Sequence, residues 1–120
     1  MKQYQITNAY RDLEKLSENE FLTDKNQWEI YKLRKQLRSH VEFQQERENA
    51  IREKYMAFAN DKGMLEGEKS LEYVKEMQDL SQLDVEIENF TKPTIKTVKG
   101  ITCKTIESLE DFVEFTEPEE

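Results

Sequence analysis

From Asp24 to Asn60 the chain runs for about 35 residues without a glycine or a proline, and this stretch reads as one helix, about 50 Å long at ~1.5 Å per residue. Asp24, with Gln27 three residues on, has the form of an N-terminal capping box, and Gly63 stands just past the far end, where a left-handed C-cap suits it. A rod of this length in a chain of 120 residues leaves room for one modest domain with a single core. Every other element has to find its place against it.

Within the rod, Ile30, Leu37, Ile51 and Phe58 share one heptad position, Leu33 supplies the companion position early, and Val41 and Tyr55 flank the stripe later. Gln44 takes the heptad position between Leu37 and Ile51, with His40, Arg47 and Glu48 near it, so the apolar stripe has a polar waist of about two turns. Two explanations stand side by side. In a coiled-coil strand a polar residue there sets register and oligomer state; otherwise the waist is exposed because the helix before it covers only one end.

The flanking segments supply that cover. Residues 4–18 set Ile6, Ala9, Tyr10, Leu13 and Leu16 three and four apart, which predicts a short amphipathic helix. The polar run Ser17 to Glu20 ends it, Phe21 and Leu22 form an apolar plug before Asp24, and the two helices read as an antiparallel hairpin. Gly63 and Gly67 mark a reversal of the chain over 61–67. Leu71, Val74, Met77 and Leu80, with Tyr73 beside them, then predict a third helix over 69–80, packed on the later half of the long one. After it the period drops to two: Leu83, Val85 and Ile87 alternate with Asp84, Glu86 and Glu88, a strand ending near Phe90. Thr94–Lys99 offers a second strand with a bend at Gly100, although its spacing of three also allows a helical turn; the two strands are expected to pair antiparallel. Thr102 caps a last helix whose apolar face is Ile106, Leu109, Phe112 and Val113. The expected fold is mainly α with a small β element (α+β), in one helical domain over 1–115 followed by an acidic C-terminal tail over 116–120.

Composition narrows the function. Hydrophobic residues make up 36% and charged residues 37%, so apolar side chains are collected on narrow helical stripes and the molecule is expected to be elongated or covered by a partner. The net charge of −8 divides into +1 over residues 1–60 and −9 over 61–120. That balance argues against nucleic acid as a direct partner, because such binding draws its affinity from cations that displace condensed counterions. The acidic half could itself imitate a nucleic-acid backbone in a basic groove, and it serves solubility equally well. Cys103 is the only cysteine, so no intramolecular disulfide forms, which fits a reducing compartment. Met1 to Tyr10 lacks the features of a secretory signal, and no run of about 18 apolar residues offers a membrane span.

Signs of chemistry are sparse. His40 has Gln36, Leu37, Phe43 and Gln44 one turn away, none of them a good metal ligand. Cys103 precedes or opens a helix, a position that can activate a thiol, but spacing suggests neither a base nor an orienting group beside it. Glu110 and Asp111 point to different sides of a helix, and Gly63, Gly67 and Gly100 match neither dinucleotide nor Walker spacing. The calcium-loop pattern is missing around Asp61 to Glu68. No catalytic, cofactor-binding or metal-ligating residue is assigned, and the chain is not expected to be an enzyme. What remains is a basic cluster of Lys32, Arg34, Lys35 and Arg38 on the early long helix, interleaved with Tyr31, Leu33 and Leu37. It either docks an acidic helix or a phosphate group, or is a charged face paired with Glu14, Glu18 or Glu29. Tyr31, Lys32, Arg34, Lys35 and Arg38, with Gln44 of the waist, are the candidate contacts for a protein partner, which a second copy of the chain could also be.

Ile6-Thr7-Asn8-Ala9-Tyr10 followed by Leu13 and Leu16, then Ala50-Ile51-Arg52-Glu53-Lys54-Tyr55, then Leu83-Asp84-Val85-Glu86-Ile87 and the closing helix give the chain a local likeness over nearly its whole length. In these strings it resembles a family of small uncharacterised proteins encoded by tailed phages and prophages of Gram-positive bacteria. The resemblance implies a phage protein acting in the host bacterial cytoplasm or during particle assembly. Joined to the sparse core, the expectation is a non-enzymatic protein that binds a protein partner, modulating or blocking a host defence protein, or alternatively a morphogenesis or virion-associated subunit.

Overall fold

A computed structural model of the chain describes residues 1–118. Four helices and two short strands follow one another there: α1 (Gln3–Ser17), α2 (Asp24–Met56), α3 (Glu68–Ser81), β1 (Thr94–Lys96), α4 (Cys103–Leu109) and β2 (Glu114–Thr116). The molecule is elongated, 59 × 30 × 19 Å, with α2 along its length. No helix among the described residues is long and apolar enough to cross a membrane.

α1 folds back along the first half of α2. Gln3 Nε2 donates to the His40 carbonyl at 2.8 Å near one end, and Gln27 Nε2 donates to the Ser17 carbonyl at 2.9 Å near the other, so the two helices are antiparallel. α2 is capped one residue earlier than its sequence suggests. Thr23 Oγ1 accepts the Asn26 amide at 3.2 Å, while Asp24 becomes the first helical residue, its carboxylate favourably placed at the positive end of the helix dipole. Gln27 is thereby released from the capping box and closes the interhelical connection instead. At the far end α2 stops at Met56, four residues short of Asn60, and Phe58 lies outside the stripe with half its surface in solvent. Gly63, at φ 77°, belongs to the following loop rather than to the helix cap.

The apolar stripe of α2 feeds two separate cores. In the first, Ile30, Leu33 and Leu37 meet Ile6, Ala9, Leu13 and Leu16 of α1, and Ile95, Leu109, Phe112 and Val113 close over them. In the second, Ile51 and Tyr55 meet Leu80 of α3, flanked by Tyr73, Met77 and Leu65. Between them the polar waist is met by α1 rather than left bare. Gln44 is half-buried; it takes the Thr7 hydroxyl of α1 as a partner and donates to Glu48 Oε1 at 3.0 Å. The third helix sits where expected, but is turned about its axis. Tyr73, Met77 and Leu80 face α2, whereas Leu71 and Val74, members of the predicted stripe, are 72% and 46% exposed.

The β element departs most from expectation. The strands are parallel, not antiparallel: Thr94, Ile95 and Lys96 stand in register with Glu114, Phe115 and Thr116. A parallel pair needs a crossover, and α4 is that crossover. The alternating segment 83–90 forms no strand. It lies extended against the amino terminus, with Val85 donating to the Met1 carbonyl at 2.7 Å, Gln3 donating to the Leu83 carbonyl at 2.9 Å and a single bridge from Lys2 to Asp84. Its period of two turns Val85 and Ile87 inward, and Asn89, at φ 55°, ends the extended run. The closing helix is shorter than its apolar face. Thr102 caps it as expected, accepting the Thr105 amide at 3.3 Å, but it stops at Leu109; Phe112 and Val113 are buried from a turn that leads into β2. Of the tail over 116–120, Thr116 is the last residue of β2, and Glu119 and Glu120 lie outside the described residues.

Two contacts clasp the ends of this arrangement. Lys54 Nζ lies 2.8 Å from Glu76 Oε1, joining α2 to α3, and Lys2 Nζ lies 2.8 Å from Asp84 Oδ1. The Lys54 ammonium, and then the Tyr55 hydroxyl, hold the Glu76 carboxyl below its ordinary range; the Lys2 ammonium does the same for Asp84. A carboxylate whose pKa is lowered in the folded chain contributes stability above its ordinary value and loses it as pH falls through the lowered one. The melting temperature is therefore expected to fall as pH drops below the ordinary carboxylate range, and Glu76→Gln to flatten part of that slope. A slope unchanged by the substitution would show that the clasp contributes nothing. Leu37, with no exposed surface, anchors the first core, and Leu37→Ala is expected to cost about 3 kcal/mol in urea unfolding, against less than about 0.5 kcal/mol for the exposed Ser39→Ala.

Candidate functional site

The side of α2 turned away from Ile30, Leu33 and Leu37 carries Trp28, Tyr31, Lys35 and Arg38, spaced three, four and three residues apart. That spacing lines them along one exposed stripe about three turns long. Trp28, the only tryptophan, is 57% exposed, and its ring stacks on that of Tyr31 with centroids 5.3 Å apart and planes 24° apart. Among the described residues six aromatic side chains are at least 40% exposed, and Trp28 is the most exposed of them. Each ring of the stack stiffens the other, so the pair offers an anchor that loses little conformational entropy on binding.

The basic residues around the pair have different duties. Arg34 is an internal strut: its guanidinium carbon lies 5.2 Å from the centre of the Tyr10 ring, its Nη2 is 3.6 Å from Glu14 Oε1, and its side chain is only 22% exposed. Lys32 pairs with Glu29 along the same helix at 2.9 Å. Both contacts follow the expectation of a charged face paired with nearby glutamates. Arg38 is exposed, and hydrogen bonding to Tyr10 holds its guanidinium above its ordinary value, with Tyr31 and Glu42 adding to the effect. Lys35 is exposed and has no ion pair among the described residues. Gln44 is engaged with Thr7 and Glu48 on the opposite side of the helix, away from this stripe. The six candidate contacts thus separate into two groups. Tyr31 and Lys35, with half-exposed Lys32, share the outward side; Arg34 and Gln44 tie α1 to α2, and Arg38, exposed on the outward side, also reaches Tyr10 of α1.

Trp28 was not among the residues singled out from sequence. Its signal was available: with Tyr31, Lys35 and Arg38 it completes a second 3-4-3 spacing, offset from the core stripe, and an aromatic at such a position is exposed once the core stripe is assigned.

Elsewhere among the described residues, five surface clefts, one of them about 800 Å³ between the α1–α2 connection and the strands, are lined by neither His40 nor Cys103. His40 is half-buried in the middle of α2 and Cys103 is exposed at the start of α4. No three His, Cys, Asp or Glu side chains among the described residues gather as a metal site requires. No protein-family model matches the sequence, and no curated protein or solved structure does so either.

The division of labour among the basic residues is measurable. Arg34→Ala is expected to lower stability by about 1 to 2 kcal/mol in urea unfolding, through loss of its packing on Tyr10, whereas Lys35→Ala changes it by less than about 0.5 kcal/mol. Equal effects would mean that Arg34 is no strut.

Proposed function

We propose that the chain is a non-enzymatic interaction protein that receives an acidic helix of a partner protein along the outward side of α2. The observation that carries this reading is the exposed Trp28–Tyr31 stack followed at heptad spacing by Lys35 and Arg38. A helix laid along that stripe would cover both rings and meet two cations with acidic side chains, the way a helix-in-groove contact combines apolar anchors with charge selection. The stripe is basic on a chain whose net charge is −8, so the surface charge is locally opposed to the overall one. Such a reversal favours one docking orientation over others.

The setting we propose follows the resemblance to small phage and prophage proteins: a phage product in the host bacterial cytoplasm whose partner is a host protein, a defence protein among the candidates, which it blocks by occupying an acidic surface. A second reading, a subunit of phage assembly, draws support from Met56 and Met64, 72% and 61% exposed at the far end of the molecule, where a larger body would cover them.

Co-purification from host extract and from infected cells, using the wild-type chain beside Trp28→Ala and Lys35→Glu, separates these readings. The first expects one host protein retained by the wild type and bound at least about tenfold more weakly by Trp28→Ala, at unchanged melting temperature. Retention of the same protein by both variants would remove the stripe from the interface. Recovery of the chain in purified particles would favour the assembly reading.

A further inference from the structure

We infer that the outer side of α3 is a self-association seam on which a second copy of the chain lays its own α3 antiparallel. At 100° per residue the six charged side chains of α3, Glu68, Lys69, Glu72, Lys75, Glu76 and Asp79, all fall in one arc of the helix. Tyr73, Met77 and Leu80 occupy the arc against α2. The remaining third, Ser70, Leu71, Val74, Gln78 and Ser81, carries no charge at all in a chain that is 37% charged. Leu71 and Val74, its two large apolar members, are 72% and 46% exposed. The apolar and uncharged surface of α3 is therefore much wider than α2 covers.

Charge decides what covers it. Lys69 pairs with Glu72 at 3.2 Å and Glu76 with Lys54 at 2.8 Å, which leaves Glu68, Lys75 and Asp79 without an ion pair among the described residues, and of these Lys75 and Glu68 lie nearest the uncharged face. These two lie one heptad apart on the border of the uncharged face. In an antiparallel pair with its two-fold axis between Leu71 and Val74, Leu71 packs on the partner's Val74, and Glu68 comes opposite the partner's Lys75. The two-fold repeats both contacts, so a single α3 carries both halves of the ion pair, as an isologous interface requires. The seam adjoins a cleft of about 510 Å³ between the ends of α2 and α3, lined in part by Val74 and by the exposed Met56 and Met64, which extends the apolar area the second copy can reach. Two helices of this length bury on the order of 1,000 Å², the lower end for a specific interface, so association in the micromolar range is expected. The seam lies on another helix from the Trp28 stripe and does not depend on the function proposed for it.

Sedimentation velocity of the full chain from about 1 µM to about 500 µM tests this, with far-UV circular dichroism melts of each variant at the lowest concentration as a check of folding. The wild type should pass from one copy to two across that range. Leu71→Glu, at a position already in solvent, should remain a single copy throughout with an unchanged melt. Lys75→Glu should weaken the dimer about tenfold by turning two attractions into repulsions, and adding Glu68→Lys should restore it to within about threefold. A wild type that stays a single copy at every concentration overturns the proposal. A dimer indifferent to Leu71→Glu, or one that the double reversal fails to restore, does the same.

Discussion

A helix of 33 residues can hide its apolar stripe only where something is laid along it, and here the covering pieces are shorter than the helix they cover. α1 has 15 residues and α3 has 14, and they approach α2 at different places. The stripe is correspondingly discontinuous. Where α1 and the β1–α4–β2 unit lie over it the residues are Ile30, Leu33 and Leu37; where α3 lies over it they are Ile51 and Tyr55. At the junction, Gln44 meets the first turns of α1 through Thr7, and Gln3 reaches the His40 carbonyl. A leucine stripe running through that junction would press apolar surface against these polar side chains. The waist is thus matched to the place where one covering helix gives way to another.

The second half of the chain is organised by the same need for cover. Ile95, Leu109, Phe112 and Val113, each at most 2% exposed, cap the α1–α2 seam, with Phe90 set edge-on to Phe112 at 6.0 Å. Two strands of three residues would be marginal alone. They hold their place because Ile95 and Phe115 stand on the helical core beneath them, and because Thr97 ties its amide and hydroxyl to the Thr116 carbonyl at 3.0 and 2.7 Å. The described acidic residues of this half, apart from Glu76, are exposed around a small apolar centre.

Exposed surface on this molecule divides along α2. Near its start an aromatic pair and two cations stand on the side opposite the core; toward its end Met56, and Met64 and Leu71 beyond it, stand where no further layer arrives. Both follow from one shortage. With 36% hydrophobic residues placed on several helices, the chain builds two thin cores rather than one thick one, and some apolar side chains remain at the margins. The two regions differ in their charge. Lys35 and Arg38 make the first basic, while the side of α3 beside the second carries no charge.

Local pattern determined much of this protein. The extent of α1, the uninterrupted course of α2, the existence of α3 and its docking on the later half of α2, the cap at Thr102 and the burial of nearly every member of the first core can all be read from residue spacing. So can the basic cluster, because charges on a helix surface need no tertiary partner to be exposed. Spacing cannot say which long-range partner an extended segment finds. The alternation over 83–88 specifies two faces and no neighbour, and the neighbour proved to be the amino terminus; the short segment at 114–116 became a strand only because β1 lay beside it. Rotation of α3 about its axis, the diversion of Arg34 to Tyr10 and of Gln44 to Thr7, and the outward stacking of Trp28 on Tyr31 were decided in the same way. Each depends on how closely a second element approaches, and that distance is a property of the packed molecule, absent from any window of its sequence.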